Sequence, residues 1–174
     1  VIALLLKTLG LERHNFFPTA GAAISPQVEE FMRSVGLLLV IGYGMTETTA
    51  TVTLDRWDKP ITIGSVGRLL NGVQLKFGDN NEVLLKGDTI TKGYYRKAEV
   101  TALAIDEEGW FHTGDAGYMK NGELFLTDRI KDLFKTSNGK FIAPQMLESK
   151  LCVDRYVDQI VIVAEQKKFV SALV

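Results

Sequence analysis

The octapeptide "GYGMTETT", residues 42–49, follows the aliphatic run "LLLVI" and sets three kinds of chemistry side by side. Tyr43 offers a ring face to a base. Thr46 offers a hydroxyl to a phosphate, and Glu47 a hard carboxylate oxygen to Mg2+. Gly42 and Gly44 let a ligand approach the backbone closely. If the aliphatic run is a parallel strand, its C-terminal end is where open α/β sheets bind ligands. The same residues also fit a glycine-rich turn followed by Thr and Glu capping a helix, and Gly-x-Gly alone does not separate the two.

A second pair comes from "GDAGYMKNGELFLTDR", centred on Asn121-Gly122. That dipeptide favours a two-residue type I′ hairpin, which would put Asp115 across from Asp128 and close to Arg129. An acid and a base at the hairpin's open end are either a surface ion pair of small energetic weight or a ligand clamp. In a clamp, the carboxylate accepts from a diol and the guanidinium faces phosphate. His112, beside Phe111 and Thr113, and Trp110 are expected to pack rather than shuttle protons. His14 has no partner pattern, and Cys152 is expected in the core.

These residues need elements to hold them. The 174 residues are 46% hydrophobic, enough for a sizeable core, with neither a disordered nor a membrane-protein composition. Twenty basic residues oppose 21 acidic ones, and a net charge of −1 gives no general attraction to nucleic acid or acidic membranes. "VIALLL" is too short for a membrane span or signal peptide and is expected to form a buried helix. "NFFPTAGAAIS" predicts a strand entering a small-residue loop. Ser25 is the expected N-cap and Pro26 the first helical residue of an amphipathic helix, with Val28, Phe31, Met32 and Val35 on one face and Gly36 beyond its end. "LLLVIGYG" then predicts a strand buried on both faces, which completes a βαβ unit.

From about Trp57 the pattern becomes antiparallel β, expected to form a small barrel, with Val73, Leu75 and Phe77 alternating and turns at "GDNN" and "KNG". "APQMLESKL" predicts a short helix, and "QIVIVAE" and "FVSALV" two further strands.

"PTAGAAIS", "GYGMTETT", "EVLLKGDTITKGYYRKAEVT", "GWFHTGD" and "DRIKDLFKTSNGKFIAPQMLE", in this order, resemble the adenylate-forming superfamily of acyl-CoA synthetases, luciferases and peptide-synthetase adenylation domains. The resemblance runs from about Leu9 to Val174. It implies an α/β plus α+β fold: the end of a layered large domain, a small antiparallel β-barrel subdomain and the start of a small C-terminal domain. The expected division is 1–128, with a βαβ portion to about 56 and a barrel portion over 57–128, followed by 129–174, with the hinge near 129–131. It also implies a reaction in which a carboxylate attacks the α-phosphate of ATP, giving an acyl-adenylate and pyrophosphate, after which a thiol, usually of CoA, takes the acyl group.

The family's roles carry over residue by residue. Tyr43 would stack on adenine, with the backbone at Gly21 and Ala22 lining the other side, beside Gly44. Thr46 would touch the α-phosphate and Glu47 would carry Mg2+. Asp115 would bind the ribose hydroxyls and Arg129 the ribose or phosphate side. Lys131 would sit at the hinge and Lys135 would be a second nucleotide-contacting lysine, although both also fit ordinary solvated lysines. Gly139 would permit the turn of a loop that enters the site beside the pantetheine channel, with Lys140 exposed.

Two family elements are missing: the Thr/Ser/Gly-rich phosphate loop, expected upstream, and the catalytic lysine, expected beyond residue 174. "VGRLLNGV" departs from the proline that relatives often carry. The chain is therefore expected to be a fragment of an acid-thiol ligase, forming no adenylate alone. It is most similar to long-chain fatty acyl-CoA synthetases through "SNGKFIAPQMLESKL". Its substrates would be fatty acid, ATP and CoA, its location cytoplasmic, with peripheral membrane association of the parent left open and oligomeric state undetermined. Another branch of the superfamily, a non-catalytic nucleotide-binding module and a β-barrel adaptor for protein partners are the alternatives.

Overall fold

The computed structural model describes residues 2–174 apart from Glu12, His14, Asn15, Trp57, residues 138–140 and residues 165–166; the side chains of Ala3, Leu5, Lys131, Lys135, Phe141 and Met146 are also outside the description. The expectations placed on His14, Trp57, Gly139 and Lys140, and on the lysine side chains at 131 and 135, lie outside the described residues. The chain divides into two compact units, Val1–Val73 with Gly87–Lys92 and Lys120–Phe125, and Gln74–Lys86 with Gly93–Met119 and Leu126–Val174.

The first unit opens with α1 (Ile2–Thr8), β1 (Phe17–Thr19), α2 (Pro26–Ser34) and β2 (Leu39–Met45), followed by β3 (Ala50–Leu54) and β4 (Arg68–Leu69). Strand order is β1-β2-β3-β4. β1 and β2 are parallel, with Phe17 opposite Leu39 and α2 between them in sequence, so the βαβ unit expected from the sequence forms. β3 returns antiparallel to β2, which makes the sheet mixed. Leu39, Val40 and Ile41 are buried, as a central strand with apolar side chains on both faces requires.

Ser25 caps α2 by accepting from Val28 N–H at 3.3 Å, and Pro26 occupies the first turn. The apolar face assigned to α2 from its spacing turns inward only in part: Met32 and Val35 are half-buried. Val28 and Phe31 are exposed, while Glu29 is fully buried. An acid is tolerated there because it is satisfied. Glu29 Oε1 accepts from Arg33 Nε at 2.9 Å and Oε2 from Gly64 N–H at 2.8 Å. Arg33 also reaches Asp55 Oδ2 at 3.2 Å, which accepts from Ile41 N–H at 3.0 Å. The helix is thus tied to β2 and β3 by a buried ionic network. The buried-helix expectation for "VIALLL" is also corrected: α1 forms, but Ile2 and Leu4 are exposed.

Next come β5 (Val73–Phe77), β6 (Glu82–Gly87), α3 (Ala98–Ala104), β7 (Phe111–Lys120) and β8 (Glu123–Arg129). These strands form a second four-stranded sheet, order β5-β6-β7-β8, most of whose residues belong to the second unit. Asn121 and Gly122 both have positive φ, 54° and 78°, the type I′ geometry expected from the sequence. Val83, Leu85 and Phe111 are buried on this sheet. The second unit continues with the antiparallel pair β9 (Phe134–Lys135) and β10 (Phe141–Ile142). α4 (Pro144–Leu151) follows, then the antiparallel pair β11 (Val161–Val163) and β12 (Ser171–Leu173). Cys152, expected in the core, is exposed because it caps the end of α4, its N–H donating to Glu148 O.

Candidate functional site

In the first unit the parallel pairing of β1 and β2 sends the loop after Thr19 and the turn after Gly44 out of the same end of the sheet. Gly21 (φ 85°) and Ala22 lie exposed on that loop. Tyr43 is buried and pairs with Thr53, and the register shifts between Tyr43 and Gly44. A Cβ on Gly44 would stand 1.8 Å from the Ala50 carbonyl oxygen. The approach that demands glycine here is that of β3 itself, a requirement internal to the fold.

Thr46–Thr48 form a single 3-10 turn, after which Thr49 and Ala50 adopt left-handed φ of 53° and 74°. The chain reverses directly into β3, so Thr46 and Glu47 do not cap a following α-helix. Two successive non-glycine residues at positive φ cost roughly 1–3 kcal/mol each, and the surrounding hydrogen bonds hold them there. Thr48 Oγ1 accepts from Met45 N–H at 2.9 Å and lies 2.7 Å from Ala50 O. Glu47 O accepts from Thr91 N–H, and Thr49 Oγ1 donates to Thr89 O, both at 2.7 Å. Thr46 is exposed and Glu47 half-buried on a turn made rigid from both sides.

In the second unit Arg129 Nε lies 3.5 Å from Asp115 Oδ1. The acid and base expected at the open end of the hairpin do meet, with Asp115 buried and Arg129 exposed. Asp128 is buried too. Its Oδ1 accepts from Arg129 N–H at 2.8 Å, and its Oδ2 has no hydrogen-bond partner among the described residues. Burial, then the charges of Asp132 and Glu148, push its carboxyl above the ordinary range, opposed by the Arg129 N–H.

His112 is not the packing residue expected from its neighbours. It is half-exposed, with Nδ1 3.0 Å from Glu82 Oε2 and Nε2 3.9 Å from Asp106 Oδ2. Sequence reasoning missed Glu82 because its connection to "HTGD" spans 30 residues and depends on strand register. Among the described residues, no group of three or more His, Cys, Asp and Glu is placed to hold a metal, and no helix is long and apolar enough to cross a membrane.

The fold recurs in solved acyl-CoA synthetase structures. An ATP-bound RpMatB-BxBclM chimera aligns at TM-score 0.80 and 27% identity, covering 94% of this chain and 35% of that one. The O-succinylbenzoate coenzyme A synthetase of Bacillus subtilis, in complex with ATP and magnesium ion, aligns at 0.78 and 25%, covering 98% and 38%. The chain therefore has the acyl-CoA synthetase-like fold expected from its motifs. Residues 6–95 match the family model described as AMP-binding enzyme, and the chain belongs to that family. The long-chain-fatty-acid–CoA ligase FadD15 of Mycobacterium tuberculosis is 34% identical over 157 residues, covering 90% of this chain. Long-chain-fatty-acid–CoA ligase 1 of Saccharomyces cerevisiae is 38% identical over 167 residues, covering 88%. The chain spans about a quarter of the length of these relatives, 26% and 24%.

Proposed function

We propose that this chain is part of an ATP-dependent acid-thiol ligase that activates a fatty acid, of the long-chain class, as its acyl-adenylate and passes the acyl group to CoA. The observation that carries this reading is the match of residues 6–95 to the AMP-binding enzyme family, supported by curated relatives named as long-chain-fatty-acid–CoA ligases. The neighbouring solved structure with O-succinylbenzoate coenzyme A synthetase in its name shares the fold with a different acid. Aryl and short-chain acids are therefore the arms against which the fatty acid is tested.

Tyr43 borders the adenine, with the Gly21, Ala22 and Gly44 backbone alongside. Thr46 donates to the α-phosphate, Asp115 accepts from the ribose diol and Arg129 faces the ribose or phosphate. Lys131 marks the hinge of a small domain beginning at 129, and Lys135 is a further nucleotide contact. An Mg2+ fits the donor set: one carboxylate, Glu47, beside the Thr46 hydroxyl suits a metal held chiefly by phosphate oxygens, which needs no all-protein cage. When bound, it offsets phosphate charge that would repel the incoming carboxylate. The chain's own residues orient the phosphate and ribose, and no general base is required because the nucleophile is already an anion.

The test is ATP–pyrophosphate exchange in the full-length protein with fatty, aryl and short-chain acids. Fatty acids support exchange, Glu47→Gln reduces it at least about tenfold because an amide is a poorer Mg2+ ligand, and the isolated 174-residue chain supports none. Normal exchange by Glu47→Gln, or exchange with aryl or short-chain acids alone, overturns the assignment.

A further inference from the structure

We propose that Glu82, paired with His112, is a positioning residue that sets the Asp115 carboxylate and thereby how strongly the ribose diol is held; this rests on the ribose role given to Asp115 above. The observation behind it is a break in the β6–β7 ladder. Leu84 pairs with His112 and Glu82 with Ala116. Between these pairs β6 has one residue, Val83, and β7 has three, Thr113, Gly114 and Asp115. The two extra residues must bulge out of the strand, a device that re-aims side chains beside functional sites.

A bulge removes backbone groups from their ladder partners, and each must be satisfied in some other way. Gly114, at φ 73°, donates its N–H to Glu82 Oε1 at 3.0 Å. Asp115 donates its N–H to Thr113 Oγ1 at 3.1 Å, and that hydroxyl donates to Val83 O at 2.7 Å. Glu82 Oε2 meets His112 Nδ1 at 3.0 Å, while Asp106, on the far side of the imidazole, accepts from Trp110 N–H at 2.8 Å. One carboxylate on β6 therefore holds both the entry and the apex of the bulge whose last residue is Asp115. Releasing Gly114 from this side chain loosens the residue that immediately precedes Asp115, leaving the Thr113 hydroxyl to hold the Asp115 N–H.

Binding of AMP and of 2′,3′-dideoxy-AMP to the full-length protein tests this. Wild type prefers AMP, and Glu82→Ala lowers that preference about tenfold. Glu82→Gln keeps an acceptor for Gly114 N–H and retains most of the preference. Glu82→Asp, one methylene shorter, falls short of Gly114 and reproduces the loss should Glu82→Ala not fold. Asp115→Asn loses the preference, and adding Glu82→Ala to it lowers the preference no further, the signature of two residues acting on one contact. A purely structural Glu82 would weaken both nucleotides equally. That result, or an unchanged preference in Glu82→Ala and Glu82→Asp, overturns the inference while leaving the ribose role intact. Absence of any AMP preference in wild type overturns the ribose role itself, and the inference with it.

Discussion

Replacing Arg33 by Met tests whether α2 is held by its buried ionic network. The substitution keeps the aliphatic stem and removes the cation that pairs with two carboxylates that are 0% and 4% exposed, Glu29 and Asp55. Breaking a buried ion pair by removing one partner costs about 3–5 kcal/mol, a large part of the roughly 5–15 kcal/mol that stabilises a typical domain. At a slope of about 2 kcal/mol/M, the urea midpoint should fall by about 2 M. Acid dependence gives a second handle. Burial pushes the Asp55 carboxyl above its ordinary 3.8, opposed first by the Ile41 N–H and then by Arg33. A carboxyl raised in the native state holds its proton more tightly there than in the unfolded chain. The stability it contributes is fully present below 3.8 and lost as pH rises through the native value. Without Arg33 the native value rises further, so the penalty of Arg33→Met should be largest near neutral pH and shrink as the pH falls toward that value. Urea unfolding followed by circular dichroism, for wild type and variant near pH 7 and about two units lower, reads both effects. The triple change Glu29→Gln, Arg33→Met and Asp55→Asn should recover most of the loss, because no unpaired charge is left buried. A penalty under about 1 kcal/mol near neutral pH, or one that does not change on acidification, would refute the reasoning.

Gly44→Ala should cost more than about 3 kcal/mol, because its Cβ would meet the Ala50 carbonyl oxygen at 1.8 Å and backbone must move; thermal unfolding, with loss of amide protection in β2 and β3, checks this. Asp128→Asn should be about 1 kcal/mol more stable than wild type near neutral pH, since it removes a buried charge whose Oδ2 is unsatisfied among the described residues. Wild type should close that gap as pH falls through the raised native value of Asp128 toward 3.8, where its carboxyl is neutral as well. A gap that persists in acid, read from denaturation midpoints across pH, would contradict the assignment.

The elements were legible wherever the signal is local. Ser25, Pro26 and Gly36 bracket α2, and Asn121-Gly122 sets a hairpin turn because few other residues accept positive φ at both central positions. The meeting of Asp115 with Arg129 followed from that turn alone. What the sequence hid depends on partners far away in the chain. Glu29 looks like a surface acid until Gly64 and Asp55 are placed against it, and Val28 and Phe31 look like its core face until they are found exposed. His112 resembles packing until strand register brings Glu82 beside it. Helical spacing reports which residues share a face, but not how far that face turns inward when an acid beside it finds a half-buried cation.

The bulge in β7 also makes Asp115 a matter of chain length. Deleting two residues between His112 and Ala116 would let the β6–β7 ladder run without interruption, and an unbroken ladder is the easier one to fold. A two-residue deletion that takes Asp115 with it would therefore remove the carboxylate while leaving the strands on either side in register.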